Sequence, residues 1–389
     1  MTRLFLIAGE PSGDALGAAL MAGLKALEPD VAFHGVGGPL MQAEGLESLF
    51  PMEELSVMGL AEVLPRYRQL MRRIKQCAAE VLRITPDALI TIDSPDFGLR
   101  VARRVKAASS IRTVHYVAPT VWAWRPGRAA KMAEVIDQVL ALFPFEPPYM
   151  EAEGMRCDFV GHPVVAQPRA SADEAAAFRA AHGIAPEAGI VLVLPGSRQG
   201  EVSRLAPVFG EALRPVLARD PARRVVVPAA APVAGQLSEL TARWPGRPVL
   251  LDPRGRPEAE ALSEKRAAFR AADVALAASG TVSLELAAAG TPMVIAYDMN
   301  WISRALITRM LKIDTVTLVN IVTGTRAVPE FLGEACKPAR IAEALRMLLE
   351  DDEARRAQLA AGAETMRLLG QGGEAPGLRA ARAVLDGLR

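Results

Sequence analysis

Cysteine and histidine are scarce in this 389-residue chain, with three of the first and four of the second. Cys77, Cys157 and Cys336 are odd in number and far apart, which argues against a disulfide framework and a paired-cysteine zinc cluster. His34, His115, His162 and His182 show no HxxH or HExxH spacing, so no metal site is expected and no cofactor is implied. An excess of one charge is also missing. The 45 Lys+Arg nearly cancel the 44 Asp+Glu, leaving +1 and no global field that favours nucleic acid. Long unbroken apolar runs are absent too. The stretch 271–297 is rich in Ala, Val and Leu, but Asp273, Ser279-Gly280, Glu285 and Gly290-Thr291-Pro292 interrupt it. A membrane span needs about 20 nearly uninterrupted apolar residues, so this stretch reads as strand, turn, helix, turn, strand. The opening MTRLFLIAGEPSGD lacks the basic stretch and cleavage site of a signal peptide and reads as a first strand.

What the chain does have is apolar residues, 51% of the total, over a length that exceeds the usual size of one core. Short runs such as LFLIAG, ALITID, TVHYVAP, VLVLPG, VVVPAAA, DVALAASG and MVIAY each precede a Gly/Pro turn and an Ala/Leu-rich stretch. Strands alternating with helices imply βαβ units and parallel sheets covered on both faces. The grammar starts twice, at Leu4 and again at Ile190, with a Pro/Ala-rich linker and helix between. The expected fold is α/β, two Rossmann-like parallel-sheet domains facing across a cleft. The boundaries are 1–165, 166–366 and a helical tail over 367–389 that either caps the second domain or returns to the first.

Gly9-Glu10-Pro11-Ser12-Gly13-Asp14 follows the first strand and opens a helix. Gly9 and Gly13, flanking Ser12, allow a tight turn and close ligand approach to free helix N–H groups; an ordinary βα turn needs one glycine at most. GxxxxGK[ST] and GxGxxG are both absent, and His34-Gly35-Val36-Gly37-Gly38 ends the next strand without an acid, which disfavours a nicotinamide enzyme. Ile92-Asp93-Ser94-Pro95-Asp96-Phe97 puts two carboxylates at a strand's carboxyl end, where open α/β sheets bind ligands. Pro95 suits a helix start, so Asp96 or Ser94 takes the capping role and Asp93 remains the candidate general base; spacing alone does not separate them.

In the second half, Leu194-Pro195-Gly196-Ser197-Arg198 lies between a strand and a helix containing Glu201. There Arg198 could hold a diphosphate, or be a surface arginine after a turn. Ser279, Gly280 and Thr281 precede a second helix, with Glu285 one turn inside it. This arrangement suits phosphate on the turn and ribose hydroxyls on the carboxylate, and resembles a capping box as well. Trp122 and Trp124, two of only four tryptophans, suit either a sugar ring or core packing, and packing is the expectation. Asp351-Asp352-Glu353 reads as a solvated helix end. Over 55–75, Leu60, Val63, Leu64, Tyr67, Leu70, Met71 and Ile74 recur at helical spacing among Arg66, Arg68, Arg72, Arg73 and Lys75. Such a helix packs on its own sheet or lies on an anionic membrane surface.

Taken together these segments resemble the lipid A disaccharide synthase family of GT-B glycosyltransferases. AGEPSGD (8–14), GVGGPLMQAEG (35–45), MEELSVMGLAEVL (52–64), IDSPDF (92–97) and HYVAPTVWAWR (115–125) carry the resemblance in the first half. FPFE (143–146), FVGHP (159–163), LPGSRQGEV (194–202), ASGTVSLELA (278–287), PMVIAY (292–297) and LVNIV (318–322) continue it. Ala166 departs from an expected acid, and Gly333 from a frequent Gln.

The resemblance implies transfer of a sugar from UDP-2,3-diacylglucosamine to the 6-hydroxyl of 2,3-diacylglucosamine 1-phosphate, releasing UDP with inversion. On the matching positions it implies Asp93 as base, Arg198 on the diphosphate, and Ser279, Gly280 and Thr281 on phosphate. Glu285 would take the ribose, Asn320 donor-side polar groups, and Gly9, Ser12 and Gly13 the acceptor-side sugar loop, with no metal or cofactor. Lipid substrates give Val63, Leu64, Tyr67, Leu70 and Met71 a lipid-contact role on a cytoplasmic protein held peripherally at the inner membrane. The rival readings are another GT-B-like UDP-N-acetylglucosamine enzyme, either a lipid-linked glycosyltransferase or a 2-epimerase, and a non-catalytic scaffold that binds lipid or nucleotide.

Overall fold

The computed structural model describes residues 1–55, 60–123, 127–299 and 313–389, with backbone alone over 60–66. The chain divides into two compact units, one of Met1–Ala166 with Leu369–Arg389 and one of Gln167–Leu368.

The first unit is built on six parallel strands: β1 (Arg3–Ala8), β2 (Ala32–Val36), β3 (Ala88–Ile92), β4 (Arg112–Tyr116), β5 (Gln138–Ala141) and β6 (Arg156–Phe159), in the order β2-β1-β3-β4-β5-β6. β3 and β5 are buried along their whole length, as is β1 from Leu4 on. Strands covered on both faces need apolar residues at every position rather than at alternate ones. Four of the helices around them start at prolines: Pro11, Pro39, Pro95 and Pro147 each stand in a first turn, where the missing N–H costs nothing. The helix Pro376–Leu388 also belongs to this unit and packs on Pro11–Leu27 so closely that a Cβ on Gly23 would lie 2.6 Å from the Gly377 carbonyl oxygen. Gln138 Nε2 donates to the Ala383 carbonyl at 2.8 Å, which ties this helix to β5.

The second unit carries β7 (Ile190–Leu194), β8 (Arg224–Pro228), β9 (Val249–Leu251), β10 (Val274–Ala277), β11 (Met293–Tyr297) and β12 (Glu330–Leu332), ordered β12-β11-β10-β7-β8-β9 and all parallel. Its interruption-rich stretch folds as β10, the helix Val282–Ala289 and β11, with Gly290 ending the helix at φ +72°. Among the described residues, no helix is long and apolar enough to cross a membrane. A capping box of Ser171 and Glu174 starts the helix Ala172–Ala181. Asp351 accepts from the Glu353 and Ala354 N–H groups, so the acidic run is a helix start.

Each strand order contains one reversal. In the first sheet the chain leaves β1 toward β2 and returns on the other side at β3; in the second it runs β7-β8-β9 and then restarts beside β7 at β10. The loops after the two strands at a reversal part in opposite directions and leave a crevice at their carboxyl ends. The two reversals fall at β1/β3 and β7/β10, and the loops there hold the glycine-containing and acidic motifs.

Candidate functional site

At the β1/β3 reversal, Asp93 and Ser94 both take left-handed backbone, with φ +52° and +41°. Asp tolerates this region better than most residues, but two in succession are costly and need support from their surroundings. Three hydrogen bonds provide it. Asp93 N donates to the Tyr116 carbonyl at 3.0 Å, Ser94 N to Asp93 Oδ1 at 2.9 Å, and Ser12 Oγ to Asp93 Oδ2 at 3.1 Å. The carboxylate stays half-buried, with acceptor capacity left for a substrate hydroxyl.

Ser94 occupies the cap position of the helix Pro95–Lys106, yet its side chain makes no capping bond, because its left-handed backbone departs from the extended one a cap needs. Asp96 is exposed in the first turn. Gly9 and Gly13 have nearer reasons to be glycine than a ligand. A Cβ on Gly9 would lie 2.8 Å from Ser94 Oγ, and one on Gly13 would lie 3.3 Å from the Ile92 carbonyl oxygen. Their absent side chains admit the β3 turn, and Gly13 is buried against it. Asp14, the last residue of that motif, is also structural: its carboxylate accepts from the N–H groups of Gly38, Leu40 and Met41 at 2.8–3.0 Å and caps the next helix.

Beside this turn lies a cluster that spacing did not reveal. Trp122 is buried and donates its indole N–H to Glu146 Oε1 at 3.3 Å, while the Leu142 and Phe143 N–H groups donate to Oε2. Burial pushes the Glu146 carboxyl up to about 7 despite these donors. His162 is buried next to Phe143, accepts from Val164 N at 3.1 Å, and is pushed down to about 4 by desolvation; it is a structural imidazole. Trp124 and Arg125 lie outside the described residues.

On the helix Leu60–Ile84, Tyr67 is 50% exposed, Leu70 and Met71 are half-buried, and Ile74 faces the core. Val63 and Leu64 lie among the residues whose side chains are not described. Further along the same helix Arg73 makes a two-pronged pair with Glu54 at 2.6 and 2.8 Å and stacks over the Phe50 ring.

The β7/β10 reversal opens into a cavity of about 390 Å³. Arg198 and Glu201 border it from the loop and helix after β7, and Ser279, Gly280, Thr281 and Glu285 from those after β10. Gly196 sits at φ +116°, and its loop is braced by Glu201, which accepts from Ser197 N at 3.4 Å and from the Tyr297 hydroxyl at 3.2 Å. A Cβ at Gly280 would meet nothing within 4 Å, so the space above the second turn is open to a ligand. Arg198 stands at the start of the helix Gln199–Arg219 with its side chain 69% exposed, so its guanidinium is available to an anion. Lys265, from the helix Glu258–Ala271, reaches into the same cavity and pairs with Glu285 Oε2 at 2.6 Å. A second cavity of about 410 Å³ adjoins along Pro228, Ala229, Ala230 and Lys265, with Leu251, Pro253 and Leu262 in its walls.

Asn320 is not part of this cavity. It is fully buried, and its amide donates to the Val328 carbonyl and to Thr315 Oγ1 while accepting from Val328 N. Both ends of the amide hold the segment before β12.

The chain matches the family described as lipid-A-disaccharide synthetase over residues 4–375. It is 64% identical over 388 residues to the lipid-A-disaccharide synthase of Ruegeria pomeroyi, covering 100% of this chain and 96% of that one. It is 50% identical to that of Rhodospirillum centenum, covering 98% and 94%. Among solved structures it is similar to a UDP-GlcNAc 2-epimerase from Neisseria meningitidis bound to UDP-GlcNAc, with TM-score 0.65, 12% identity and coverage of 100% and 99%. It is also similar to MurG of Acinetobacter baumannii, with TM-score 0.55, 14% identity and the same coverage. At such identities the likeness carries the fold, which is GT-B.

Proposed function

We propose that this chain, which belongs to the lipid-A-disaccharide synthetase family, transfers 2,3-diacylglucosamine from its UDP derivative to the 6-hydroxyl of 2,3-diacylglucosamine 1-phosphate. The observation that carries the reading is the cavity at the β7/β10 reversal, which gathers an available arginine, an open Ser-Gly-Thr turn at a helix start and a carboxylate. Such a set suits a nucleoside diphosphate. Arg198 and the Ser279–Thr281 turn take the diphosphate and stabilise the charge that grows on it as the sugar departs. Glu285 accepts the ribose hydroxyls, and the adjoining cavity walled by Leu251, Pro253 and Leu262 receives the base. Asp93 withdraws the proton of the acceptor 6-hydroxyl as that oxygen attacks the anomeric carbon, with Ser12 orienting the carboxylate. Attack opposite the leaving UDP inverts the anomeric centre.

Both substrates carry acyl chains, whose exposure to water costs roughly 0.8 kcal/mol per CH₂. The face of Leu60–Ile84 with Val63, Leu64, Tyr67, Leu70 and Met71 meets the lipid surface, and the exposed Arg68 and Arg72 meet anionic headgroups at the cytoplasmic side of the inner membrane. Incubation with the two acylated glucosamine substrates, followed by mass analysis, tests the reading. Disaccharide 1-phosphate and UDP in equal amounts are expected; turnover of UDP-N-acetylglucosamine without any acceptor would replace this reading with the epimerase one.

A further inference from the structure

The four charged side chains of the nucleotide cavity cancel in two pairs. Arg198 lies 3.7 Å from Glu201, and Lys265 lies 2.6 Å from Glu285. The pairs differ in kind. Glu201 is committed to the loop, bound by Ser197 N and the Tyr297 hydroxyl, and its arginine partner is largely exposed. Glu285 and Lys265 are each about one-third exposed, at 33% and 32%, and both face the cavity. Only Oε2 of Glu285 is taken, and among the described residues no donor occupies Oε1.

A bare carboxylate at this place opposes the ligand the cavity is built for. A nucleoside diphosphate brings at least two negative charges, and like charges inside one partly desolvated cavity repel. An ammonium group bonded to Oε2 removes the repulsion and leaves Oε1 free to accept a ribose hydroxyl. Lys265 is well held for this. Its helix is packed through Phe269, one turn on and 3% exposed, and its ammonium sits 5.2 Å from that ring's centroid. It also stands where the two adjoining cavities meet, so both the diphosphate side and the base side border it.

We propose that Lys265 is a positioning residue that acts through Glu285: it fixes the carboxylate's orientation and cancels its charge, so that one side chain can hold a ribose beside a diphosphate. The proposal rests on the nucleotide reading of this cavity. It differs from a direct lysine–phosphate contact, which would act without Glu285.

A double-mutant cycle on the full chain separates these, with UDP and uridine as the titrated probes in calorimetry. Lys265→Met is expected to weaken UDP binding at least tenfold and uridine binding less, with Lys265→Arg within about threefold of the parent, since a charge-assisted bond is kept. In the Glu285→Gln background the same Lys265→Met change is expected to alter UDP binding less than twofold. Equal loss in both backgrounds overturns the proposal and makes Lys265 an independent phosphate ligand. So does unchanged UDP binding by Lys265→Met. Should Lys265→Met unfold, Lys265→Gln serves in the same cycle. A parent chain that binds neither UDP nor uridine overturns the nucleotide reading itself, a result distinct from additivity.

Discussion

The Ser12 hydroxyl donates to Asp93 Oδ2 across 3.1 Å, joining the first turn of the helix after β1 to the turn after β3 at the point where the strand order reverses. The carboxylate is therefore oriented by a side chain from a different βα unit, while its backbone is held left-handed by Tyr116 and Ser94.

Replacing Asp93 with Asn keeps this geometry and removes the proposed base. The expected result is a fall in kcat of about 10²–10⁴-fold with little change in KM for the donor, measured as initial rates of UDP release. Ser12→Ala should cost far less, about 1 kcal/mol or roughly fivefold in rate, because water can replace the one hydroxyl lost from a carboxylate that solvent reaches.

Arg198→Ala should weaken binding of UDP by about 1.5–3 kcal/mol, the range for a hydrogen bond to a charged group. Arg198→Lys should recover part of that, since the charge is kept and the two-pronged geometry is lost. Calorimetric titration with UDP reads both.

The Glu146 carboxyl gives the first unit a pH dependence of known sign. Its folded value of about 7 lies above its ordinary 4.5, the cause being burial. Between those values the folded state keeps a proton that the unfolded state has released. Its contribution to stability is thus complete below about pH 4.5 and declines as pH rises to about 7, by on the order of 3 kcal/mol. Urea unfolding at about pH 5 and about pH 7.5 should show this loss in the parent chain and a smaller one in Glu146→Gln.

Gly23→Ala places a methyl 2.6 Å from the Gly377 carbonyl oxygen, and that atom is backbone and cannot rotate away. A loss of about 1–3 kcal/mol is expected from overpacking, seen as a lower midpoint in thermal or denaturant unfolding.

Substituting Val63, Leu64 and Leu70 together by Ser should reduce sedimentation with anionic vesicles at least tenfold without lowering the unfolding midpoint, since each change removes apolar area from the proposed lipid face. Sedimentation equal to the parent's would show that this face does not meet lipid.

The α/β architecture was legible because doubly covered strands must be apolar almost throughout, and LFLIA and IVLVL are unbroken apolar runs, ALITI one broken only by Thr91, with turn residues beside them. Pro95 marked a helix start for an equally local reason, and the structure places Pro11 and Pro376 at the same helical position. The strand order was not legible, and it is the order that brings Gly196–Arg198 and Ser279–Glu285 to one cavity. Contacts between distant elements were also hidden. Lys265 stands in mid-helix with no turn motif near it, yet meets Glu285. Glu146 and Trp122 belong to different loops, and Asn320 lies in a motif but spends its amide on the core. Local grammar reports backbone state well and side-chain partners poorly.

The packing of Pro376–Leu388 on Pro11–Leu27 sets an order on biogenesis. The helix Pro376–Leu388 is made only after the whole of 167–368, so this flank of the amino-terminal unit has no cover until synthesis has passed the inserted one. Trimming the last twenty or so residues would therefore injure the portion made first, and a protease nick near Leu369 would register as instability hundreds of positions upstream.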